Sequence, residues 1–196
     1  MAAPAGSRAA RTVLLVCDVQ ERFRALVHRF PAVVRSARAL LAGAAALDVP
    51  VLVTEQNPAR LGATVAELDV SRARTFAKTR FSMLTPEVAA ALPAGATHAL
   101  LVGIEAHVCV AQTARDLLAR GLAVSVVADG VSSQRAGDRA LTLAALARDG
   151  ARLTTTEAAL FDLLEDAAHP RFKDVQRAAI EFARAYDANE ALDAMM

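Results

Sequence analysis

The sequence predicts an α/β fold in three layers, a doubly wound parallel sheet with helices on both faces. Short apolar runs rich in Val and Leu recur along the 196-residue chain, stretches with helical periodicity separate them, and most connections are short. Strands and helices that alternate in this way need right-handed crossovers, which make the strands parallel and cover both faces of the sheet. We expect one domain over residues 1–196, with flexible tails at 1–11 and 187–196.

The first half of the chain begins with a strand at Thr12–Cys17, a continuous apolar run (TVLLVC) that is too short for a buried helix. A helix is predicted over 32–47 and a second strand over 51–54. A loop over 55–74 follows, which exceeds the usual length of a connection and is therefore a candidate cover for a site. A shorter third strand is predicted over 75–78.

The second half repeats the alternation and brings the total to six strands. In chain order, its predicted elements are a helix over 87–92, a strand over 99–102, a helix over 108–120, a strand over 124–128, a helix over 139–148, a strand over 152–155, a helix over 156–164 and a terminal helix over 173–186. Thr156 is the predicted N-cap of the penultimate helix, because a Thr hydroxyl can accept a hydrogen bond from a free amide of the first turn.

Composition and charge exclude several classes of protein. The 22 Lys and Arg nearly balance the 21 Asp and Glu, so no overall field holds a phosphate backbone and no nucleic-acid partner is expected. No apolar run approaches the roughly 20 residues of a membrane helix, so no membrane partner is expected either. Gly-rich phosphate-binding motifs are absent from the sequence. A small molecule is the expected partner and the cytoplasm the expected compartment, with a mitochondrial address as the alternative.

Three chemically distinctive residues lie near the predicted carboxyl ends of strands, where open α/β sheets bind their ligands. Asp18 follows the first strand, Lys78 ends the third, and Cys109 lies at the opening turn of the helix after the fourth. An acid, an ammonium and a thiol would therefore meet in one crevice. Taken alone, Asp18 is equally typical of a helix cap, and Lys78 is more typical of a solvated surface charge.

The two cysteines are predicted to differ in reactivity. With only two cysteines and four histidines, the chain has neither a disulfide framework nor a zinc-type spacing. A helix N-terminus and a neighbouring ammonium both favour the reactive thiolate, and Cys109 has both within reach. Cys17 lies in an apolar strand, and alternation along that strand would turn the side chain of Asp18 to the opposite face. We therefore expect Cys109 to be reactive and Cys17 to be an inert core thiol.

Several segments of the chain resemble known signatures. Three of them resemble, in order and spacing, the signatures of the isochorismatase-like cysteine hydrolases: 15–20 (LVCDVQ), 77–82 (AKTRFS) and 102–109 (VGIEAHVC). Two more resemble the subgroup called isochorismatase domain-containing proteins: 54–64 (TEQNPARLGAT) and 169–173 (HPRFK). The likeness runs over about 12–176, so the chain is identified as a member of this family.

The resemblance implies a six-stranded parallel sheet in the order 3-2-1-4-5-6 and a catalytic triad of Asp18, Lys78 and Cys109. It also implies a cis peptide bond between Ile104 and Glu105, so that the backbone N–H groups of Glu105 and Cys109 form an oxyanion hole. In the implied mechanism, Asp18 takes the thiol proton, Lys78 stabilises the thiolate, and Cys109 attacks a carbonyl to form a thioester. A water activated by Asp18 then releases the product.

The sequence differs from two branches of this family at positions that determine the cofactor and the substrate. The nicotinamidase branch carries an Asp-x-His metal site after its second strand, but Glu55, Gln56 and Asn57 stand at those positions without a nearby histidine. We therefore expect no metal and no other cofactor, and nicotinamide is disfavoured as substrate. True isochorismatases cleave a vinyl ether with the Asp and need no thiol. The retained Cys109 favours cofactor-independent hydrolysis of a small amide-like or related substrate.

The remaining pocket residues are predicted from position. The substrate-binding set is Gln20, Phe23, Asn57, Leu61, Phe81 and His107. Core packing is the alternative interpretation for each Phe. His107 is equally well explained as a substrate contact and as a surface residue of the helix.

Two other function classes stay open at this point. The chain could be a binding or scaffold protein that retains the hydrolase fold with little turnover. A nucleolytic activity is a third hypothesis, which the balanced charge disfavours. Under each of these hypotheses we expect a homo-oligomer. The helices have Ala-rich faces, and members of the family that the chain resembles commonly form homo-oligomers.

Overall fold

A computed structural model of the protein describes residues 6–185. The strands are β1 (Thr12–Cys17), β2 (Val51–Gln56), β3 (Arg74–Lys78), β4 (His98–Ile104), β5 (Ala123–Ser132) and β6 (Arg152–Thr154). The helices are α1 (Phe30–Leu47), α2 (Pro58–Leu61), α3 (Pro86–Ala91), α4 (Ala111–Ala119), α5 (Ala136–Arg148), α6 (Thr156–Leu164) and α7 (Phe172–Ala185). A π-helical turn, Ala106–Val110, leads into α4.

The six strands form one parallel sheet in the order β3-β2-β1-β4-β5-β6, which confirms the predicted fold class and strand order. The chain runs outward from β1 to β3, then returns to the other side of β1 with β4. Strand order therefore reverses between β1 and β4, and Cys17 at the end of β1 is level with Thr54 of β2 and Gly103 of β4. The crevice at this reversal point is where a ligand of an open α/β sheet is expected.

Helices cover the sheet on both faces, as predicted. One apolar cluster joins α1, α6 and α7 to side chains such as Leu14 and Val102, and the other joins α3, α4 and α5 to side chains such as Leu15 and Leu101. Neighbouring residues of one strand thus enter opposite clusters, as the pleat of a strand requires. The 18-residue helix α1 is long and apolar enough to cross a bilayer, but 72% of it is buried inside the fold, which is typical of a core helix.

The predicted N-cap of α6 is wrong, and several helices begin before their predicted first residue: α1 at Phe30, α5 at Ala136 and α7 at Phe172. The N-cap of α6 is Thr155, whose side chain accepts a hydrogen bond from the Ala158 amide. Thr156 instead points inward, and its amide and hydroxyl both donate to the carboxylate of Asp129, at 2.8 and 2.9 Å. The helix predicted over 108–120 begins earlier and in another form, because the π-helical turn precedes α4.

The part of the predicted N-terminal tail that the structure describes contacts the rest of the fold, and its flexibility stays a prediction. Residues Ala9–Arg11 form a 3₁₀ turn in which Ala9 is buried. The backbone amide of Arg8 donates to the carboxylate of Glu165 at 2.9 Å, and its guanidinium lies 3.3 Å from Asp162, so this segment is fastened to the end of α6. Residues 1–5, the predicted tail at 187–196 and the predicted last residue of α7, Tyr186, lie outside the described residues.

The reversal point depends on the absence of a side chain at Gly103. Its φ is +124°, and a Cβ at this position would lie 2.1 Å from the carbonyl oxygen of Cys17. We expect Gly103→Ala to lower the free energy of unfolding by about 3 kcal/mol or more, because backbone strain and a backbone clash both add to the cost. Urea denaturation measures the change. Gly95→Ala is the matched control, since a Cβ there would meet no atom within 4 Å, and an equal effect of the two substitutions would contradict the prediction.

Candidate active site

The backbone turn at Asp18 directs its carboxylate into the reversal point. Asp18 is the first residue after β1, its φ is +53°, and its amide donates to the carbonyl of Thr54 at 3.1 Å. A left-handed residue breaks the alternation of a strand, so the carboxylate lies on the same side as the thiol of Cys17, with 3.6 Å between Cys17 Sγ and Asp18 Oδ2. The prediction that these two side chains point to opposite faces is wrong for this reason.

The carboxylate of Asp18 is buried and receives hydrogen bonds at both oxygens. Oδ1 accepts from the hydroxyl of Thr54 at 2.7 Å, and Oδ2 accepts from the ammonium of Lys78 at the same distance. Asp18 is 1% exposed, so a carboxylate here depends on these donors for the hydrogen bonds that water would otherwise supply. Sequence reasoning missed Thr54, although its place beside Cys17 in the sheet could have indicated it.

The ammonium of Lys78 is enclosed by acceptors. It donates to Asp18 Oδ2 and to Gln56 Oε1, each at 2.7 Å, and to the carbonyls of Arg80 and Phe81 at 3.1 and 3.0 Å. None of its side chain is exposed. Gln56 is a second site residue that sequence reasoning missed, although it ends β2 on the strand between Asp18 and Lys78 in the sheet.

The pKa of Lys78 reflects two opposing effects. Burial by itself lowers the pKa, because it disfavours the charged form, but the neighbouring Cys17, Asp18 and Cys109 raise it and have the larger combined effect. The net result is a pKa above the ordinary value of 10.5. Lys78 is therefore an ammonium at neutral pH, and it stabilises negative charge on the groups around it.

Cys109 lies in the π-helical turn that precedes α4. Its sulfur is 3.8 Å from the ammonium nitrogen of Lys78. Its carbonyl accepts a hydrogen bond at 2.6 Å from the hydroxyl of Thr113, which in turn accepts from the amide of Met83 at 2.8 Å. The turn is thus fixed to α4 and to the segment after β3. Cys109 is 6% exposed, which makes it the more accessible of the two cysteines.

Cys17, the predicted inert core thiol, belongs to the same group of side chains. The sulfurs of Cys17 and Cys109 and a carboxylate oxygen of Asp18 all lie within 4.8 Å of one another. Burial, a hydrogen bond with Cys109 and the charge of Asp18 raise the pKa of Cys17 well above its ordinary value, against the opposing effect of Lys78. Cys17 is therefore a protonated thiol at neutral pH.

The peptide bond between Ile104 and Glu105 is cis, as the family resemblance implies. The carbonyl of Glu105 accepts hydrogen bonds from the amides of Val108 and Val110, which close the π-helical turn. Its carboxylate accepts from the amide of Gln134 at 2.9 Å and so ties the turn to the segment after β5. The role of the Glu105 and Cys109 amides as an oxyanion hole stays a prediction.

The side chain of Gln20, a predicted substrate contact, is hydrogen-bonded to backbone groups. The residue is fully buried. Its side-chain nitrogen donates to the carbonyls of Gln56 and Gly62, at 3.1 and 2.6 Å, and its side-chain oxygen accepts from the amide of Gln56 at 2.7 Å. These three bonds tie the end of β1 to β2 and to the loop after α2, so the polar atoms of Gln20 are occupied by backbone groups.

The two predicted aromatic walls differ from each other. Phe23 is half-buried and packs against the apolar cluster that contains α1, whereas the two cysteines lie in the cluster on the other face of the sheet. Core packing, the alternative interpretation, is the one that fits Phe23. Phe81 is 52% exposed, and its carbonyl holds the ammonium of Lys78. Its ring is thus free to contact a ligand near the site.

Three predicted pocket residues remain: Asn57, Leu61 and His107. Asn57 precedes α2 with a φ of +37°, and its amide donates to the carbonyl of Lys78 at 2.8 Å. Leu61 ends α2 and is half-buried. The ring of His107 is hydrogen-bonded to the hydroxyl of Ser133 at 3.0 Å and lies 3.9 Å from the carboxylate of Asp138, which favours its interpretation as a surface residue.

Among residues 6–185, Cys17, Asp18 and Cys109 are the group whose side chains could together hold a metal ion. A cation at this position would compete with Lys78, whose ammonium already contacts Asp18 at 2.7 Å. Glu55, at the first position of the metal motif of the nicotinamidase branch, accepts hydrogen bonds from the amide and the hydroxyl of Thr64, at 2.7 and 2.8 Å. Glu55 thus ties the segment after α2 to the end of β2.

A cavity of about 530 Å³ lies far from this group, at the edge of the sheet where the strands begin. Arg11, His98 and Arg152 are among the residues that line it. None of the predicted site residues lines it. Burial and the charge of Arg152 lower the pKa of His98 below its ordinary value, so this histidine is neutral at neutral pH. Both nitrogens of its ring are occupied, because the ring is hydrogen-bonded to the hydroxyls of Ser125 and Thr12 at 2.8 and 3.1 Å.

Comparison with known proteins identifies the family of the chain. Residues 12–158 match the isochorismatase domain. Isochorismatase domain-containing protein 1 of Salmo salar is 47% identical over 170 residues, which cover 85% of this chain and 60% of that protein. Isochorismatase domain-containing protein 2 of Xenopus laevis is 45% identical over 172 residues, which cover 87% of this chain and 84% of that protein.

Among solved structures, MAR1 ribonuclease from Caenorhabditis elegans superimposes with a TM-score of 0.87 at 40% identity, covering 93% of this chain and 94% of that one. The match spans only 60% of the length of the Salmo salar protein. Domain match, sequence identity and fold agree, and the chain belongs to the isochorismatase family.

Proposed function

We propose that the protein is a cofactor-independent cysteine hydrolase that cleaves a small amide-like substrate through a thioester on Cys109. One observation carries the proposal: the ammonium of Lys78 lies 2.7 Å from the carboxylate of Asp18 and 3.8 Å from the sulfur of Cys109. A base, a cation and a thiol that meet in a buried site are the arrangement that activates a nucleophile. Membership of a hydrolase family supports the same conclusion.

The first step is activation of the thiol. A carboxylate oxygen of Asp18 lies within 4.8 Å of Cys109 Sγ, so a small side-chain rotation brings the proton of the thiol within reach of the carboxylate. The thiolate that forms is paired with the ammonium of Lys78. Because the site excludes most water, this electrostatic stabilisation is stronger than it would be at the surface.

The second step is acyl transfer. The sulfur of Cys109 forms a bond to the substrate carbonyl carbon, and the carbonyl electron pair moves onto its oxygen, which the amides of Glu105 and Cys109 would hold. Collapse of this adduct breaks the C–N bond, and the proton held by Asp18 leaves with the amine. A water that gives a proton to Asp18 then attacks the thioester, and the acid and the free thiol are released. The net reaction adds one water to one amide.

Selective alkylation tests the proposed nucleophile. We expect iodoacetamide at about pH 7 to label Cys109 at least about tenfold faster than Cys17, because one thiol lies beside an ammonium at the more accessible position and the other is fully buried and protonated. Peptide mapping after timed quenching measures both rates in one sample, so Cys17 is an internal control. Lys78→Ala should reduce the preference. Equal, slow labelling of both thiols would contradict the mechanism.

Turnover is tested with a panel of small primary amides. Ammonia release that disappears in Cys109→Ala supports the hydrolase, as does a thioester adduct on Cys109 detected by intact mass after acid quenching. A cellular role that survives Cys109→Ala would favour the alternative of a binding or scaffold protein. In that case the buried triad would be a feature of the fold without a catalytic task.

A second candidate, nucleolytic activity, is favoured by one observation, the 40% identity with the structure named MAR1 ribonuclease. Two properties of this chain oppose it. The net charge of +1 supplies no field for a phosphate backbone, and the triad is too deeply buried to meet a polymer without rearrangement. RNA affinity that falls steeply with salt concentration would distinguish this activity from hydrolysis of a small amide.

A further inference from the structure

The two cysteines of the chain lie close enough to react with each other. Their sulfurs are within 4.8 Å, and both side chains belong to the apolar cluster on the α4 side of the sheet. The proposed hydrolase mechanism uses Cys109 and gives Cys17 no task. A thiol that is held beside a nucleophilic thiol and a carboxylate nevertheless has a specific chemistry available to it, which is closure of a disulfide.

We propose that Cys17 is a resolving thiol, which forms a reversible disulfide with Cys109 after a hydroperoxide has oxidised Cys109, and that this modification removes the nucleophile of the hydrolase. The inference rests on the proposed function, because it takes Cys109 as the reactive thiol of the site. It assigns a modification site to a residue that the hydrolase mechanism leaves unused.

The surroundings of the two thiols determine which one is oxidised first. Cys109 is 6% exposed and Cys17 is 0% exposed, so a small peroxide reaches Cys109 first. The ammonium of Lys78, 3.8 Å from Cys109 Sγ, favours the thiolate that reacts with peroxide. Burial and the hydrogen bond with Cys109 raise the pKa of Cys17 well above its ordinary value, so Cys17 remains protonated during the first step.

The chemistry balances in two steps. The sulfur of Cys109 attacks the terminal oxygen of the hydroperoxide, so that an S–O bond forms, the O–O bond breaks, and an alcohol or water leaves with sulfenic acid on Cys109. The sulfur of Cys17 then attacks the sulfur of Cys109, the S–S bond forms, and the S–O bond breaks. The proton of Cys17 passes through Asp18, whose Oδ2 is 3.6 Å from Cys17 Sγ, to the departing hydroxide, which leaves as water.

The change of geometry that the disulfide requires is local. The sulfurs must approach from at most 4.8 Å to about 2 Å, the length of an S–S bond. Cys17 is held by β2 on one side and β4 on the other, so the movement falls on Cys109 in its π-helical turn. A rotation of that side chain turns its sulfur from Lys78 toward Cys17. The nucleophile is then blocked without unfolding of the sheet.

Intact mass of the full chain tests the proposal without any substrate. After limited treatment with hydrogen peroxide and quenching with catalase, we expect the monomer to lose two hydrogens, about 2 Da, and to have no thiol that iodoacetamide labels after denaturation. Dithiothreitol should restore both thiols. The chain has only two cysteines, so an intramolecular disulfide can join only this pair. Failure of the wild-type monomer to lose two hydrogens would overturn the proposal.

Matched variants separate the resolving role from simple oxidation. Cys17→Ala and Cys17→Val lack the second thiol, so peroxide should add two or three oxygens to Cys109, about 32 or 48 Da, and dithiothreitol should not reverse the change. If wild type gains oxygens as these variants do, Cys17 does not resolve the sulfenic acid and the proposal fails. If the chain loses two hydrogens but hydrolyses no amide, the disulfide proposal stands and the proposed hydrolase activity is rejected.

Discussion

Lys78→Met is expected to lower the free energy of unfolding by about 3–5 kcal/mol, because it leaves a buried carboxylate without its cation. The ammonium and the carboxylate of Asp18 are 2.7 Å apart, and neither side chain is more than 1% exposed. Water cannot replace the lost partner without opening the crevice at the reversal point between β1 and β4. Urea denaturation followed by circular dichroism measures the difference from wild type.

The stability loss has a distinct pattern across related variants. In the double variant Asp18→Asn, Lys78→Met, no buried charge remains unpaired, so most of the lost free energy should return, and the double-mutant cycle should give a large favourable coupling. Arg115→Met is the surface control, because its ion pair with Asp149 at 2.8 Å is exposed and is expected to contribute within about 1 kcal/mol. A Lys78→Met change no larger than this control would contradict the role assigned to the pair.

The sign of the pH dependence follows from the raised pKa of Lys78. A base whose pKa is higher in the folded state contributes its full stability below the ordinary pKa of 10.5 and loses it as pH rises through the folded value. The deficit of Lys78→Met should therefore be complete at neutral pH and diminish only in strongly alkaline solution. A deficit that disappears at neutral pH would mean that Lys78 is not an ammonium in the folded protein.

The sheet was the most predictable part of the fold. The run Thr12–Cys17 is continuously apolar because a central strand of a parallel sheet is buried on both faces, and its predicted bounds are those of β1. β5 extends to Ser132, four residues beyond its predicted end, through a polar stretch that contains Asp129. That extension pairs with β4 after a shift in register, Val131 with Gly103 and Ser132 with Ile104, and apolar periodicity does not encode such a pairing.

The site was predictable in position and not in its surroundings. Asp18, Lys78 and Cys109 could be named because each lies near the carboxyl end of a strand, where ligands meet open sheets. The contact between Cys17 and Asp18 could not be predicted. Strand alternation places the two side chains on opposite faces, but the left-handed backbone at Asp18 brings its carboxylate to the face of Cys17. Residue type suggests a ligand contact for Gln20, but it does not indicate that backbone groups bind its side-chain amide, as they do in the structure.

Asp18→Asn is expected to lower kcat/KM for an amide substrate by about 100-fold to 10,000-fold, the usual range for loss of a general acid–base group. Asparagine tolerates the left-handed conformation that Asp18 adopts, with a φ of +53°, and its side-chain oxygen can still accept a hydrogen bond from Lys78. It cannot take the proton of Cys109 or return one to the leaving amine. The substitution thus separates proton transfer from the shape of the site.

Two measurements decide whether Asp18 acts in this way. The alkylation rate of Cys109 by iodoacetamide should fall together with kcat/KM, because the same carboxylate helps to generate the thiolate in both reactions. Asp149→Asn applies the same chemical change to an exposed carboxylate of the Arg115 ion pair and should leave both rates within about threefold of wild type. If Asp18→Asn keeps its turnover within that margin while its circular dichroism matches wild type, another group must accept the thiol proton, and the triad loses its base.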